Sequence, residues 1–315
     1  MKKFEHIDAK TVDEAVSALG SGNAVVIAGG TDLLGTLKDE ILPDYPETLV
    51  NIKTIPNMDY IKEEGDMLKI GALALLADIA NNATVKSKYT ALAEAAGRAA
   101  SPNLREMGTI GGNICQLPRC WYFRAANNRF DCIRKGGSMC YAAVGQNRYH
   151  SIFGAINACF AVHPSDTAPA LVALDAKIKT SKRTINAEDF WDFKVNGATV
   201  LDANEIVTEI QVPTPASGSK SAFIKLAIRK SIDFPVVNCA AAINGGAARI
   251  CLNAVFNKPY RATAAEAAIA GKTINETNAE AAGEAAVSGN MPLEQSKYKV
   301  QIAKTLVKRA ILACK

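Results

Sequence analysis

The first apolar periodicity in the chain falls at Val12, Ala15, Val16 and Leu19, one face of a helix that Thr11 would cap and that Gly20 and Gly22 would end. A short apolar run, Ala24 to Ala28, reads as a strand and leads straight into Gly29-Gly30-Thr31-Asp32-Leu33-Leu34. Leu49 to Ile52 predicts another strand, closed off by Pro56 and Asn57. Tyr60-Ile61 and Met67 to Gly71 predict two more short strands around a Glu63-Glu64-Gly65-Asp66 turn, and these open a second lobe. Helical spacing returns over Leu73 to Ala80 and Leu92 to Ala100. Ser101-Pro102 stops the second of these helices, because the residue before proline is pushed out of the helical region.

Thr167 to Leu174 is apolar and Ala-rich, a helix opening after Pro164-Ser165-Asp166, and Ala176 to Thr180 is a strand that begins a C-terminal lobe. In that lobe Ile206 to Val212 and Ala222 to Arg229 alternate; with Val236 to Ile243 and Ala248 to Phe256 they predict one antiparallel sheet. Helices over Ala264 to Ala270 and Ala279 to Ala286, and a last one with Tyr298, Ile302 and Leu306 spaced by four and a lysine-rich polar face, close the chain. The pattern predicts an α+β protein in three segments: residues 1–58, 59–175 and 176–315. It contains no internal repeat or long linker.

At 315 residues, 49% hydrophobic and 21% charged, the chain is long enough for two or three lobes with well-buried cores. Its net charge of +5 is spread over 36 basic and 31 acidic residues, and no basic tract carries interleaved aromatics, so nucleic acid is not an expected partner. No apolar run approaches the roughly 20 residues of a membrane span. The opening MKKFEHIDAKTVDEAV lacks the apolar core of a signal peptide, so a cytoplasmic location is expected. There the eight cysteines are expected to be reduced, metal-bound or buried.

Chemistry concentrates between Met107 and Asp166. Gly108-Thr109-Ile110-Gly111-Gly112-Asn113 is a second glycine-rich turn, and Cys115, Cys120, Cys132, Cys140 and Cys159 follow it. A strand ending in two glycines, as at Gly29-Gly30, lets backbone N–H groups converge on an anion; alone it is a weak signal, since any tight turn reads the same way. The intervals Cys120-x11-Cys132-x7-Cys140-x18-Cys159 match neither the paired cysteines of zinc ribbons nor the tight runs of bacterial ferredoxins. Thiols clustered in a polar, Gly- and Arg-rich loop nevertheless point to a metal, iron-sulfur or zinc, rather than to packing. Cys239, Cys251 and Cys314 sit among Ala, Val, Ile and Leu and read as structural. Arg119, Arg124, Arg129, Arg134 and Lys135 lie among the clustered thiols, as cations that would stabilise an anionic cluster or as solvated loop charges.

AGGTDLL, then GTIGGN, then a PSD followed by an Ala-rich helix and VALDA, together resemble the FAD-binding subunit of the molybdenum hydroxylases, the family of xanthine dehydrogenase and carbon monoxide dehydrogenase. The likeness runs through IVTEIQVP and FIKLAIRKSIDFP and so spans essentially the whole chain. It implies a two-lobed FAD-binding domain of the vanillyl-alcohol oxidase-like type, followed by a C-terminal α/β lobe with a small antiparallel sheet. The long loop at about 114–160 resembles the insertion of 4-hydroxybenzoyl-CoA reductase and of bacterial aldehyde oxidoreductases, whose flavin subunits hold a 4Fe-4S cluster. On the matching positions this implies Cys120, Cys132, Cys140 and Cys159 as ligands, with Cys115 in reserve.

The same resemblance implies FAD contacts. Ala28, Gly29, Gly30, Thr31, Asp32, Leu33 and Leu34 would wrap the pyrophosphate; Thr109, Gly111, Gly112 and Asn113 would meet the flavin side, with Ser101 and Arg105 nearby. Asp166 would bind a polar group of the cofactor, Val207 would pack near it and Lys225 would reach its edge. Read without the family, Asp166 is equally an N-cap, Lys225 a solvated strand charge and Val207 a core residue. His163 reads as structural.

The implied function is electron transfer: a subunit that relays electrons through FAD and a 4Fe-4S cluster between a 2Fe-2S small subunit, itself serving a molybdenum-cofactor large subunit, and an external carrier such as ferredoxin or NAD. Periplasmic location is expected only if a partner subunit carries the chain out. No catalytic base or nucleophile is expected here. The rival reading is a non-redox binding subunit whose cysteine insertion holds one zinc ion; a self-sufficient flavin oxidase is disfavoured by the short C-terminal lobe.

Overall fold

The computed structural model describes residues 1–315. The predicted first helix runs Val12–Gly20, and the Thr11 side chain accepts from the Glu14 N–H as its cap. Strands Glu5–Asp8 and Ala24–Ile27 flank Thr48–Asn51 in a three-stranded parallel sheet, the first lobe. The helix covers this sheet with Ala15 and Leu19, as parallel pairing through a crossover requires.

The second lobe is built on a five-stranded antiparallel sheet in the order Ile61–Glu64, Met67–Gly71, Val207–Pro213, Lys177–Thr180, Thr184–Asn186. Two of these strands differ from the expected placement. Lys177–Thr180 and Val207–Pro213 read from the sequence as parts of the C-terminal lobe, and Val207–Pro213 as a strand of its sheet; instead they extend the Met67–Gly71 hairpin. Alternation specifies that one face is buried, not against which partner, and Ile70, Ile178, Ile210 and Val212 all reach the core of the first two lobes. Helices Leu76–Asn81, Ala83–Lys88, Thr90–Gly97 and Thr167–Ala173 fill that core with small side chains.

The C-terminal lobe carries the four-stranded antiparallel sheet Lys220–Leu226, Val237–Asn244, Ala247–Asn253, Tyr260–Arg261. Its period-two alternation serves two cores at once. Phe223, Ala240 and Cys251 face the core of the first two lobes, while Ala222, Cys239, Ala241, Ile250 and Leu252 face a second core under helices Thr263–Ile269, Glu276–Ala286 and Tyr298–Ala313. The three cysteines read as structural are all buried there, and burial pushes the Cys239 and Cys251 thiols well up and Cys314 to about 12. No helix is long and apolar enough to cross a membrane.

Candidate cofactor site

The first glycine turn leaves the strand Ala24–Ile27 and enters a short helix, Leu33–Lys38. Gly30 adopts a left-handed φ of +70°, which turns the chain sharply there. The backbone N–H groups of Gly29, Gly30, Thr31, Asp32 and Leu33 make no hydrogen bond within the chain. Five successive unused donors in one turn form a concavity suited to phosphate oxygens.

The second turn is held against the first. A Cβ on Gly29 would collide with the Met107 carbonyl, so only glycine lets the two turns touch. Thr109 caps the helix Ile110–Cys115 by accepting from Gly112 N–H at 3.1 Å. A Cβ on Gly111 would come within 2.9 Å of the Ala72 carbonyl oxygen, which seats this helix on the second lobe. Asn113 is fixed by two hydroxyls: Ser165 Oγ donates to its Oδ1 at 2.6 Å and Thr167 Oγ1 at 2.7 Å. The buried Trp191 donates from Nε1 to the Ile114 carbonyl at 2.8 Å, anchoring the same helix from the other side.

Between the turns lies a cavity of about 710 Å³, a size that suits an organic cofactor. Of the residues singled out from the sequence, Ala28, Gly29, Gly30, Thr31, Asp32, Leu33, Thr109, Gly111, Gly112, Asn113, Asp166 and Val207 line it. Leu34, Ser101 and Lys225 do not. Leu34 points to solvent, Ser101 caps Pro102–Arg105 by accepting from Leu104 N–H, and Arg105 donates to the Ala99 and Ala100 carbonyls. The sequence reading missed the opposite wall, Lys194 to Thr199, Leu201 to Ala203, Glu205 and Ile206, together with Ile232 and Phe234. Lys194 to Thr199 and Leu201 to Ala203 carry no motif and reach the cavity only through the fold, while Ile206, Ile232 and Phe234 lie in segments that carry the resemblance but were given no site role.

Asp166 and Lys225 form a buried ion pair at 2.7 Å, with Asn238 Nδ2 donating to the other carboxylate oxygen at 2.8 Å. Burial pushes the Asp166 carboxyl above its ordinary value, and Lys225 and Asn238 oppose that shift. Its side chain makes no cap bond to the helix Thr167–Ala173; Ser165 Oγ accepts from Ala168 N–H there. Lys225 therefore acts on the cavity through Asp166.

The insertion is tied to the first turn by Asp32, whose Oδ1 lies 2.8 Å from both the Arg119 and Arg124 guanidinium groups, and whose Oδ2 accepts from Leu117 N–H at 3.0 Å. Cys120, Cys132, Cys140 and Cys159 come from separate turns yet share one neighbourhood. Burial pushes the Cys120 thiol up to about 12, and Cys159 and Cys140 add to that rise; burial also raises Cys132, with Cys159 contributing. Cys115 stands apart. It packs on the main core, lines the cofactor cavity, and is pushed up to about 12 by burial alone. No three His, Cys, Asp or Glu side chains converge as they would on a single metal ion.

Two buried cations face these thiols. Arg134, 1% exposed, donates from Nε to Cys159 Sγ at 3.4 Å and from Nη1 to the Gly197 carbonyl at 2.7 Å. Lys135, 4% exposed, donates to Asn128 Oδ1 at 2.9 Å and lies 5.7 Å from the Phe123 ring centre. Neither forms an ion pair with a carboxylate. The buried His150 places Nε2 3.2 Å from Cys120 Sγ; burial pushes this imidazole down to about 4, and Lys299 adds to that. Burial pushes the His163 imidazole down to about 3 and Arg134 adds to that, while the Asn253 side chain beside it opposes the shift.

Two family models match the chain: the FAD binding domain in molybdopterin dehydrogenase over residues 2–215, and the CO dehydrogenase flavoprotein C-terminal domain over 222–314. The chain is 33% identical to the aldehyde oxidoreductase FAD-binding subunit PaoB of Escherichia coli (strain K12), over 96% of both proteins. It is 30% identical to the carbon monoxide dehydrogenase medium chain of Hydrogenophaga pseudoflava, covering 99% of this chain and 96% of that one. The solved carbon monoxide dehydrogenase from Hydrogenophaga pseudoflava that lacks the Mo-pyranopterin moiety superposes with a TM-score of 0.76 at 30% identity, covering 99% of this chain and 97% of the other.

Proposed function

The chain belongs to the FAD-binding medium subunits of the molybdenum hydroxylase family and is an oxidoreductase subunit, and on that premise we propose that it relays electrons through FAD and a 4Fe-4S cluster held by Cys120, Cys132, Cys140 and Cys159. When bound, these groups supply one-electron exchange with iron-sulfur centres and, at the flavin, two-electron exchange with an organic acceptor. The free N–H groups of Gly29 to Leu33 would take the FAD pyrophosphate, and Asn113 and Asp166 would present fixed polar atoms to the rest of the cofactor.

The observation that carries the cluster is the pair Arg134 and Lys135. A buried cation without a counter-ion costs several kcal/mol; apart from Cys132 and Cys120, the acidic group acting on Lys135 is Asp131, which is exposed. Four thiolates holding a cluster of net negative charge would supply the missing anion. The partners in this reading are a molybdenum-cofactor large subunit and a 2Fe-2S small subunit, with an external carrier such as ferredoxin or NAD.

Iron and acid-labile sulfide on anaerobically purified protein test the proposal. About four of each per chain are expected, falling on Cys-to-Ser substitution at the four positions but not at Cys115. Zinc near one per chain without sulfide would overturn it.

A further inference from the structure

One wall of the cofactor cavity is the tip of a hairpin, strands Trp191–Lys194 and Gly197–Thr199, and Lys194 to Thr199 all line the cavity. These two strands pair only with each other, and a lone two-stranded hairpin is marginal in water. Its base is secured, because Trp191 is buried and donates to the Ile114 carbonyl. Its tip depends on a residue of the insertion.

That residue is Arg134. Both hydrogen bonds that tie Val195, Asn196 and Gly197 to chain outside the hairpin are made with it: its carbonyl accepts from Asn196 N–H at 2.8 Å and its Nη1 donates to the Gly197 carbonyl at 2.7 Å. Its guanidinium also lies 4.8 Å from the centre of the Phe193 ring. Through Nε the same group reaches Cys159 Sγ at 3.4 Å, and its Nη2 is buried with no partner. One side chain therefore spans the thiols and the cavity wall. On the cavity side, Asn196 Oδ1 is buried without a partner, an acceptor that a donor on the cofactor would satisfy.

A guanidinium is stable in such a place only with an anion beside it. Thiolates supply one and neutral thiols do not. Loading of the thiols thus favours the buried position of Arg134, and with it the placement of the hairpin tip.

Resting on the cluster reading above, we propose that Arg134 is a positioning residue that couples the two sites: an anionic cluster on the thiols holds the hairpin tip against the FAD cavity, so FAD binds more tightly to the loaded protein. By linkage, FAD in turn stabilises the cluster by the same factor.

A double-mutant cycle on the protein in its complex tests this, with iron, acid-labile sulfide and the FAD dissociation constant read on each variant. Cys140→Ala is expected to lower iron and sulfide by about four each per chain relative to the parent and to weaken FAD roughly tenfold. Arg134→Lys keeps the charge but not the fork that reaches both partners; it is expected to keep its iron and to weaken FAD roughly tenfold. The double variant is expected to be no weaker than either single one, whereas independent damage would multiply. The cluster's midpoint potential, followed by its electron paramagnetic resonance signal, is expected to shift down in Arg134→Lys with loss of the N–H···S bond. Phe193→Leu leaves thiols and guanidinium in place and keeps the test decisive if Arg134→Lys does not fold; FAD is expected to weaken roughly threefold, as loss of a cation–π contact gives. Parental FAD affinity in Cys140→Ala after the drop in iron, multiplying effects in the double variant, or an unchanged potential would each overturn the coupling alone. Iron and sulfide unchanged in Cys140→Ala would overturn the cluster reading, and the coupling with it.

Discussion

The carboxylate of Asp32 lies 2.8 Å from the guanidinium of Arg124, so the first glycine turn and the cysteine-rich insertion are fastened together by one partly buried side chain. Arg119 shares the same oxygen, and Arg124 in turn donates to the Pro118 and Leu117 carbonyls. Asp32→Ala is expected to lower stability by about 3 kcal/mol, since hydrogen bonds to charged groups are worth about 1.5–3 kcal/mol each. Iron content and FAD content should fall together in this variant. Retention of both at parental levels would show that the two sites are mechanically independent.

Lys225→Met leaves the Asp166 carboxylate buried without its cation, and breaking a buried pair in this way costs about 3–5 kcal/mol. Asp166→Asn should cost less, because Asn238 and Lys225 keep a polar partner. A carboxyl whose folded pKa is raised contributes stability that is full below its unfolded pKa and is lost as pH rises through the folded value. In the parent that window opens just above the ordinary Asp range; in Lys225→Met it should extend to higher pH, since the cation that opposes the shift is gone. Urea midpoints across the acid-to-neutral range read this directly.

Gly29→Ala should separate the two glycine turns. The added methyl has backbone, not a flexible side chain, in its way at Met107, and overpacking of that kind costs about 1–3 kcal/mol or more. The chain is expected to fold with its FAD affinity reduced, measured by flavin fluorescence on dialysis. Gly20→Ala, where nothing lies within 4 Å of the added carbon, is the matched control and should retain FAD.

Lys299, fully buried in the last helix, donates to the Tyr149, His150 and Ala254 carbonyls and so clamps the end of the insertion to the C-terminal lobe. Lys299→Met should cost about 3 kcal/mol by leaving those acceptors unpaired. Because His150 touches Cys120, iron should be lost at a lower denaturant concentration than in the parent. Iron release that tracks the parent would separate this clamp from the thiols.

Local rules accounted for much of the architecture. Thr11 as a cap, the Glu63 to Asp66 turn with Gly65 at a φ of +61°, and the last helix all appear where periodicity and turn chemistry put them. These features are settled by side chains a few residues apart. Strand partnership was not legible: Val207–Pro213 alternates identically whether it joins Lys220–Leu226 or Met67–Gly71, and only the shape of the shared core selects the second. The same holds for Lys225, whose position in a strand does not disclose that its ammonium turns inward to Asp166.

By itself the sequence determined the glycine turns, the cysteine intervals and the lobes' element types, because each depends on backbone freedom, spacing or periodicity within a short segment. Tertiary structure decided that Gly29 abuts Met107, that Cys120, Cys132, Cys140 and Cys159 share a neighbourhood while Cys115 faces the cofactor cavity, and that Arg134 and Lys135 are buried beside those thiols. Burial and charge balance arise only when distant segments meet, so no local pattern could carry them.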